Sequence, residues 1–309
     1  MIAIAICWLA LAAGAGPAAG KGLLTGSPVR TGVALHGSPY RYLTLNPPGS
    51  RSTLVARVDR QGGRIDRWWS LAGRFTVTAP AYDMVGAGLA ADESLLVLSQ
   101  LRQGLLVRRT RLTLLNTEVN DRHPAAAANG DFSTVILRGD YGVQAVSPDG
   151  ATAFLTHLLS APPDPVRFQL RALDTASGKL LPRFSIPGNG EILSGLPITR
   201  LPDRRGRVVY TLYWEEGGTA RRRPISILAL DTVAPRLRRV ELPQLRSIRD
   251  PMLLRLRLDK SGRRLTVAKL SRNGGDRRPE PLLRIDTRTL RVDPPLARVA
   301  TCVAKVGED

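Results

Sequence analysis

A unit of roughly 57 residues recurs along the chain, and two independent columns of residues keep its register. One column is a turn aspartate, at Asp92, Asp149, Asp203 and Asp259, spaced 57, 54 and 56 apart. The other is an Asx that closes a strand-like run, at Asp59, Asn116, Asp174, Asp231 and Asp286, spaced 57, 58, 57 and 55 apart. Two columns that keep step from about residue 43 to residue 295 specify a repeat architecture. Each unit is then one supersecondary element that buries its apolar surface against its neighbours.

The runs between the markers are short. They either alternate or are wholly apolar, with Gly, Pro, Asn and Asp between them, and helical periodicity is nearly absent. The expectation is an all-β chain. Clear strand candidates are residues 53–58, 88–99, 110–116, 151–159, 167–173, 207–214, 225–231, 263–270 and 282–286, with further ones at 74–78, 133–137 and 238–242. At the turns, Gly150, Gly206 and Gly262 supply positive φ, and aspartate bonds its own backbone two residues on. The turn at Asp92 lacks the glycine.

VSPDG at 146–150, followed by Phe154, Leu155 and Thr156 and then by LRALDTASGK at 170–179, resembles the YVTN-type β-propeller repeat, a relative of WD-repeat and TolB-like propellers. ILALDT at 227–232 carries the same pattern, and the unit at Asp92 is degenerate. The resemblance implies a single β-propeller over 43–309, of a secreted, actinobacterial-style kind. Five blades is the literal count, with six or seven open if degenerate blades lie between the clear units. Residues 31–45 and 291–303 are the candidates for ring closure. The resembling proteins include lactonases, surface-layer proteins and assembly factors, so fold alone implies no single activity.

Residues 1–20 carry no charged side chain, and their apolar run from 2 to 13 has the length of a signal-peptide core rather than of a bilayer span. A signal peptide at 1–20 is the expectation, with an uncleaved N-terminal anchor as the alternative. Residues 21–42 then form a Gly/Pro-rich lead-in. Lipidation at Cys7 is disfavoured by Ile6 before it, and removal of the segment leaves Cys302 alone, without an internal disulfide.

The formal charge is +19, yet five of the 45 basic residues are lysines, leaving 40 arginines among abundant Ala, Gly, Pro and Leu. That bias is what a G+C-rich genome encodes. Twenty-three of the arginines lie between Arg200 and Arg298, dispersed beside turns and strands where they guard exposed edges. The alternative is attraction to an anionic partner. No aromatic-interleaved stacking pattern or recognition helix supports nucleic acid.

Catalytic motifs are missing: no HExxH, CxxC, GxSxG, phosphate loop or EF-hand loop occurs. His123, beside Asn120 and Asp121, reads as a loop histidine, and Glu215 with Glu216 as a hairpin tip. The Asx column reads as hairpin turns rather than a metal ring. No metal and no cofactor are expected. One positional pattern points to a site. Seven residues past each turn glycine stand His157, Tyr213 and Lys269, with Gln100 at the matching place in the second unit. If these converge on the mouth of a central channel, they form a ligand site.

The chain is accordingly expected to be a monomeric, secreted or envelope-associated propeller. It binds a protein or an anionic cell-envelope polymer and does no catalysis. The alternative is a hydrolase of the lactonase kind acting at the channel mouth.

Overall fold

The computed structural model describes residues 32–101, 106–118, 131–182, 192–215, 224–271 and 279–293. Residues 1–20 with Cys7, His123 with its neighbours, Glu216, Cys302 and most of 291–303 lie outside the described residues.

Among the described residues, nineteen strands form five sheets, each antiparallel and each built from consecutive strands. The first holds β1 (Tyr40–Leu45), β2 (Ser52–Asp59) and β3 (Ile65–Ala72). The second holds β4 (Phe75–Thr76), β5 (Leu95–Gln100), β6 (Arg109–Asn116) and β7 (Phe132–Arg138). In the third, β8 (Asp140–Val146), β9 (Thr152–Ser160), β10 (Arg167–Asp174) and β11 (Lys179–Leu180) lie side by side, and β12 (Leu193–Ser194) pairs with β10. The fourth holds β13 (Leu196–Pro202), β14 (Val208–Trp214), β15 (Ile225–Asp231) and β16 (Arg236–Glu241). The fifth holds β17 (Leu254–Leu258), β18 (Arg264–Lys269) and β19 (Glu280–Asp286). The described residues contain no α-helix, only two single-turn 3-10 segments at Pro243–Leu245 and Pro251–Leu253. The chain is all-β, with one sheet per sequence unit.

The two marker columns are the two hairpins of each sheet. Gly150, Gly206 and Gly262 adopt φ of 72°, 66° and 73°. Each donates its N–H to the carbonyl three residues back, on Ser147, Asp203 and Asp259. Glu93 does the same to Ala90 with φ of 61°, so the second unit keeps the turn without the glycine. This corrects the aspartate register, because Asp149 and Asp92 occupy the third turn position whereas Asp203 and Asp259 occupy the first. A carboxylate works from either place. Asp149 and Asp92 accept N–H bonds from Ala151 and Ser94, while Asp203 and Asp259 accept from Arg207 and Arg263.

The Asx column caps the second hairpin: Asp174 accepts from the Ser177 N–H, Asp231 from Val233 and Ala234, and Asp286 from Arg288 and Thr289. These turn hydrogen bonds hold Asp174 and Asp286 below the usual carboxylate range.

Successive sheets pack face to face. One buried cluster joins the first and second sheets through Val55, Leu71, Leu96 and Leu98, and another joins the second and third through Val97, Leu112, Val143 and Leu155. Phe154, Phe168, Val209 and Leu228 join the third and fourth, and Leu212, Ile227, Leu265 and Val267 the fourth and fifth. A strand buried on both faces is apolar at nearly every position, which is why 225–231 does not alternate.

The sheets share an interior. The first strand of the second sheet is interrupted: β4 and residues 88–90 both pair along one edge of β5, and residues 77–87 leave that edge as an excursion closed by the Thr78–Ala87 bridge. Its tip donates two backbone N–H groups to β13, Tyr82 to the Pro197 carbonyl and Asp83 to that of Ile198, both at 3.0 Å. Close by, Gly86 abuts the Gly32 carbonyl so tightly that a Cβ would stand 2.3 Å from it. Elements of the first, second and fourth sheets thus meet, which a straight stack of sheets about 10 Å apart does not allow. At the other end of the inner strands the turns meet: a Cβ on Gly206 would lie 2.9 Å from that of Ala91, and one on Gly150 3.1 Å from that of Leu95. Among the described residues, Val33 bridges to Tyr42 and Val292 to Ile285, so each terminal segment pairs within its own sheet.

Candidate functional site

A cavity of about 670 Å3 opens between the third and fourth sheets, at the end of the inner strands away from the turns, with the excursion as its third wall. Two β-bulges shape it. In β8 the register breaks between Val143 and Ala145, which leaves Gln144 unpaired and turns its side chain toward the fourth sheet. There its amide N donates to Thr211 Oγ1 at 2.9 Å, and its Oε1 accepts from Thr156 Oγ1 at 3.4 Å. In β13 the register breaks between Pro197 and Thr199, beside the carbonyls that receive the excursion.

Asp140, Gly142, Thr156 and Leu158 form the third sheet's wall, and their pairings, Asp140 with Leu158 and Gly142 with Thr156, put all four on one face. Phe168, Val166 and Ala161 continue it, and Leu196, Pro197 and Tyr213 stand opposite.

The excursion is pinned by one carboxylate. Asp83 Oδ2 accepts from Thr199 Oγ1 at 2.6 Å and from the Arg200 N–H at 3.0 Å. Arg200 is buried, and its Nε donates to the Gln144 carbonyl at 3.0 Å and one terminal nitrogen to the Gly86 carbonyl at 3.4 Å. Burial pulls its guanidinium down to about 10, and the charge of Asp83 opposes that fall, so it remains cationic at neutral pH. Arg200 therefore ties together the inner strands of the third and fourth sheets and the excursion.

Of the expected ligand residues, Gln100 and Tyr213 line this cavity, and His157 and Lys269 do not. His157 lies on the face that holds Ala153 and Leu155, in the gap toward the second sheet. It stacks on Tyr141 with ring centroids 4.4 Å apart, and its buried Nδ1 has no hydrogen-bond partner. Burial first and Arg171 second push its imidazole below the usual histidine range. Tyr213 stacks on Phe168 in the gap between the third and fourth sheets, and burial raises its phenol strongly. Lys269 pairs with Leu254, a member of the cluster between the fourth and fifth sheets. The counting placed His157, Tyr213 and Lys269 correctly as equivalents. The inference of convergence is corrected, because a side chain on a sheet points into the gap beside that sheet. Three equivalents therefore occupy three gaps.

Glu215 accepts from Ser226 Oγ at 3.4 Å and pairs with Arg239. Among the described residues no group of three or more His, Cys, Asp or Glu could hold a metal ion. Sequence reasoning missed Asp83, Arg200, Gln144 and Asp140. Arg200 alone had a local signal, a lone cation inside the strand-like run ITRLP.

No family model and no curated protein matches the chain. Solved structures similar to it include the β-propeller domain of the Trilobed protease from Pyrococcus furiosus, at 7% identity and TM-score 0.45, with 87% of this chain and 72% of that chain covered. Another is oligogalacturonate lyase from Vibrio parahaemolyticus, at 8% identity and TM-score 0.35, covering 85% and 76%. At these values the architecture rests on the sheets themselves.

Proposed function

We propose that this chain is a five-bladed β-propeller that works by binding, and that its ligand is a small molecule held between the third and fourth sheets. The observation that carries the reading is the cavity: its volume falls within the range of about 300–1,000 Å3 common to small-molecule sites, and its walls are paired strands plus an excursion fixed by Asp83. Sites built on such elements hold their geometry better than loops do.

Export and residence at the cell envelope as a monomer belong to the same proposal, supported by the uncharged N-terminal segment. So does an anionic envelope polymer as a further partner. Arg236 and Arg238 stand exposed on the edge strand β16, and binding through them should weaken steeply with salt.

The test uses N-phenyl-1-naphthylamine, an apolar fluorescent probe. The wild-type chain should bind it saturably at one site. Gly142 lies on the cavity wall, where an added Cβ meets nothing within 4 Å, so Gly142→Leu fills the space without displacing neighbours. That variant should keep its thermal transition and lose the probe. Equal binding by the variant removes the reading.

A further inference from the structure

The described lining of the cavity lacks the cations that the chain's composition leads one to expect, and this bears on its ligand. In a chain of net charge +19, no Lys, Arg or His lines the cavity among the described residues. Among the described residues the one charged lining residue is an acid, Asp140, 5% exposed, whose Oδ2 accepts from the Val107 N–H at 3.2 Å. The buried cation behind the wall, Arg200, does not itself line the space, and its guanidinium is taken up by the carbonyls of the lining residues Gln144 and Gly86. An anion entering this space loses its hydration and meets no cationic side chain among the described residues of the wall. The other polar groups are neutral. The bulged Gln144 and Thr156 form one hydrogen-bonded pair on the floor, and Thr78 and Ser99 hydroxyls form a second at 2.9 Å near the excursion. Hydroxyl and amide groups accept and donate at once, which suits a hydroxyl or carbonyl on a ligand. The remaining surface is apolar, from Leu158, Val166, Phe168 and Leu196 to Tyr213.

We infer that the cavity selects an uncharged, largely apolar molecule whose single polar end, a hydroxyl or carbonyl, joins the Gln144–Thr156 pair. The inference rests on the small-molecule reading above and sets a specificity that the net charge conceals. Gln144 and Thr156 are the specificity-determining residues, and the bulge in β8 is the device that aims the first of them.

The experiment compares four probes of one shape by calorimetry: 1-naphthylmethanol, 1-methylnaphthalene, 1-naphthoate and 1-naphthylmethylammonium. The alcohol should bind most tightly, with the anion about tenfold weaker or more despite the basic chain. Thr156→Val should weaken the alcohol about fivefold and leave methylnaphthalene within about twofold. Gln144→Met should do the same. It also leaves the buried Thr211 hydroxyl without its donor, so Thr156→Val decides if Gln144→Met unfolds. If none of the four binds, the small-molecule reading itself fails. If the four bind but naphthoate matches or exceeds the alcohol, the cavity stands and the inferred specificity falls. Preference for the ammonium overturns it as well.

Discussion

The hydroxyl of Thr175 donates to the carbonyl of Gly150 at 2.6 Å, so the residue that follows the Asx marker is bonded to the glycine of the turn marker. The same bond joins Thr232 to Gly206 at 2.7 Å and Thr287 to Gly262 at 2.8 Å, and Thr117 bonds the Glu93 carbonyl in the unit that lacks the glycine. The two sequence columns keep step because each hairpin holds the other. Only the first sheet differs, since Arg60 follows Asp59 there and donates its N–H to Pro39 instead.

Removing these hydroxyls should therefore destabilise every unit in the same way and by an amount set by burial. Thr175→Val and Thr287→Val should each cost about 1 kcal/mol, and Thr232→Val more, up to about 2 kcal/mol, since Thr232 is 2% exposed and bonds a second carbonyl, that of Arg207. Denaturant unfolding of the three variants measures this. Equal, negligible losses would show that the columns are not held by this bond.

The turn glycines differ in their neighbours, so their replacement should grade. At Gly262 an added Cβ meets nothing nearer than Leu258 at 4.0 Å, so Gly262→Ala suffers only the positive φ, about 1 kcal/mol. Gly206→Ala adds a contact of 2.9 Å with Ala91 of the second sheet and should lose more. A reversed order of thermal midpoints would mean that the turns do not meet across the interior.

The architecture was legible because its signals are local. Turn, strand and Asx-Thr lie within one unit, and hydrogen bonds at |i−j| of 25 and 26 link them. The cavity was not legible, because the contact that pins its third wall joins Asp83 to Thr199 across 116 positions, and nothing around Asp83 announces it. The candidate ring failed for a different reason. Counting fixes which residues are equivalent, as it did for His157 and Tyr213, but the gap each side chain enters depends on how sheets stack. The bulge at Gln144 also escapes counting, since one extra residue leaves no mark in an apolar run.

Asp83 and Arg200 should behave as a unit. Asp83→Ala removes the acceptor of Thr199 Oγ1 and the charge that opposes the desolvation of Arg200, and should cost about 2–3 kcal/mol. Arg200→Met removes the buried charge. In the double variant the loss should fall well short of the sum, a coupling of about 1 kcal/mol or more. Strict additivity in a double-mutant cycle would leave the excursion held by its backbone bonds alone.

Acid should weaken the fold through His157 before it reaches the turn aspartates. Burial against Tyr141, with Arg171 nearby, holds the folded imidazole below its ordinary value of 6.5. The unfolded chain therefore takes up a proton at a pH where the folded chain still refuses it. Stability from this group is complete above about pH 6.5 and is lost as pH falls through the lowered folded value. The carboxylates of Asp149, Asp174, Asp259 and Asp286, all shifted downward by turn hydrogen bonds, lose their contribution only at lower pH, in the carboxylate range. Thermal midpoints between pH 7.5 and pH 5 should fall in the wild type and fall less in His157→Gln, whose side chain does not titrate. The comparison uses the two slopes and not the two midpoints, because glutamine also gives up the ring stack. A slope unchanged by the substitution would mean that the imidazole accepts its proton inside the folded chain as readily as outside it. The face between the second and third sheets would then be open to water at Nδ1.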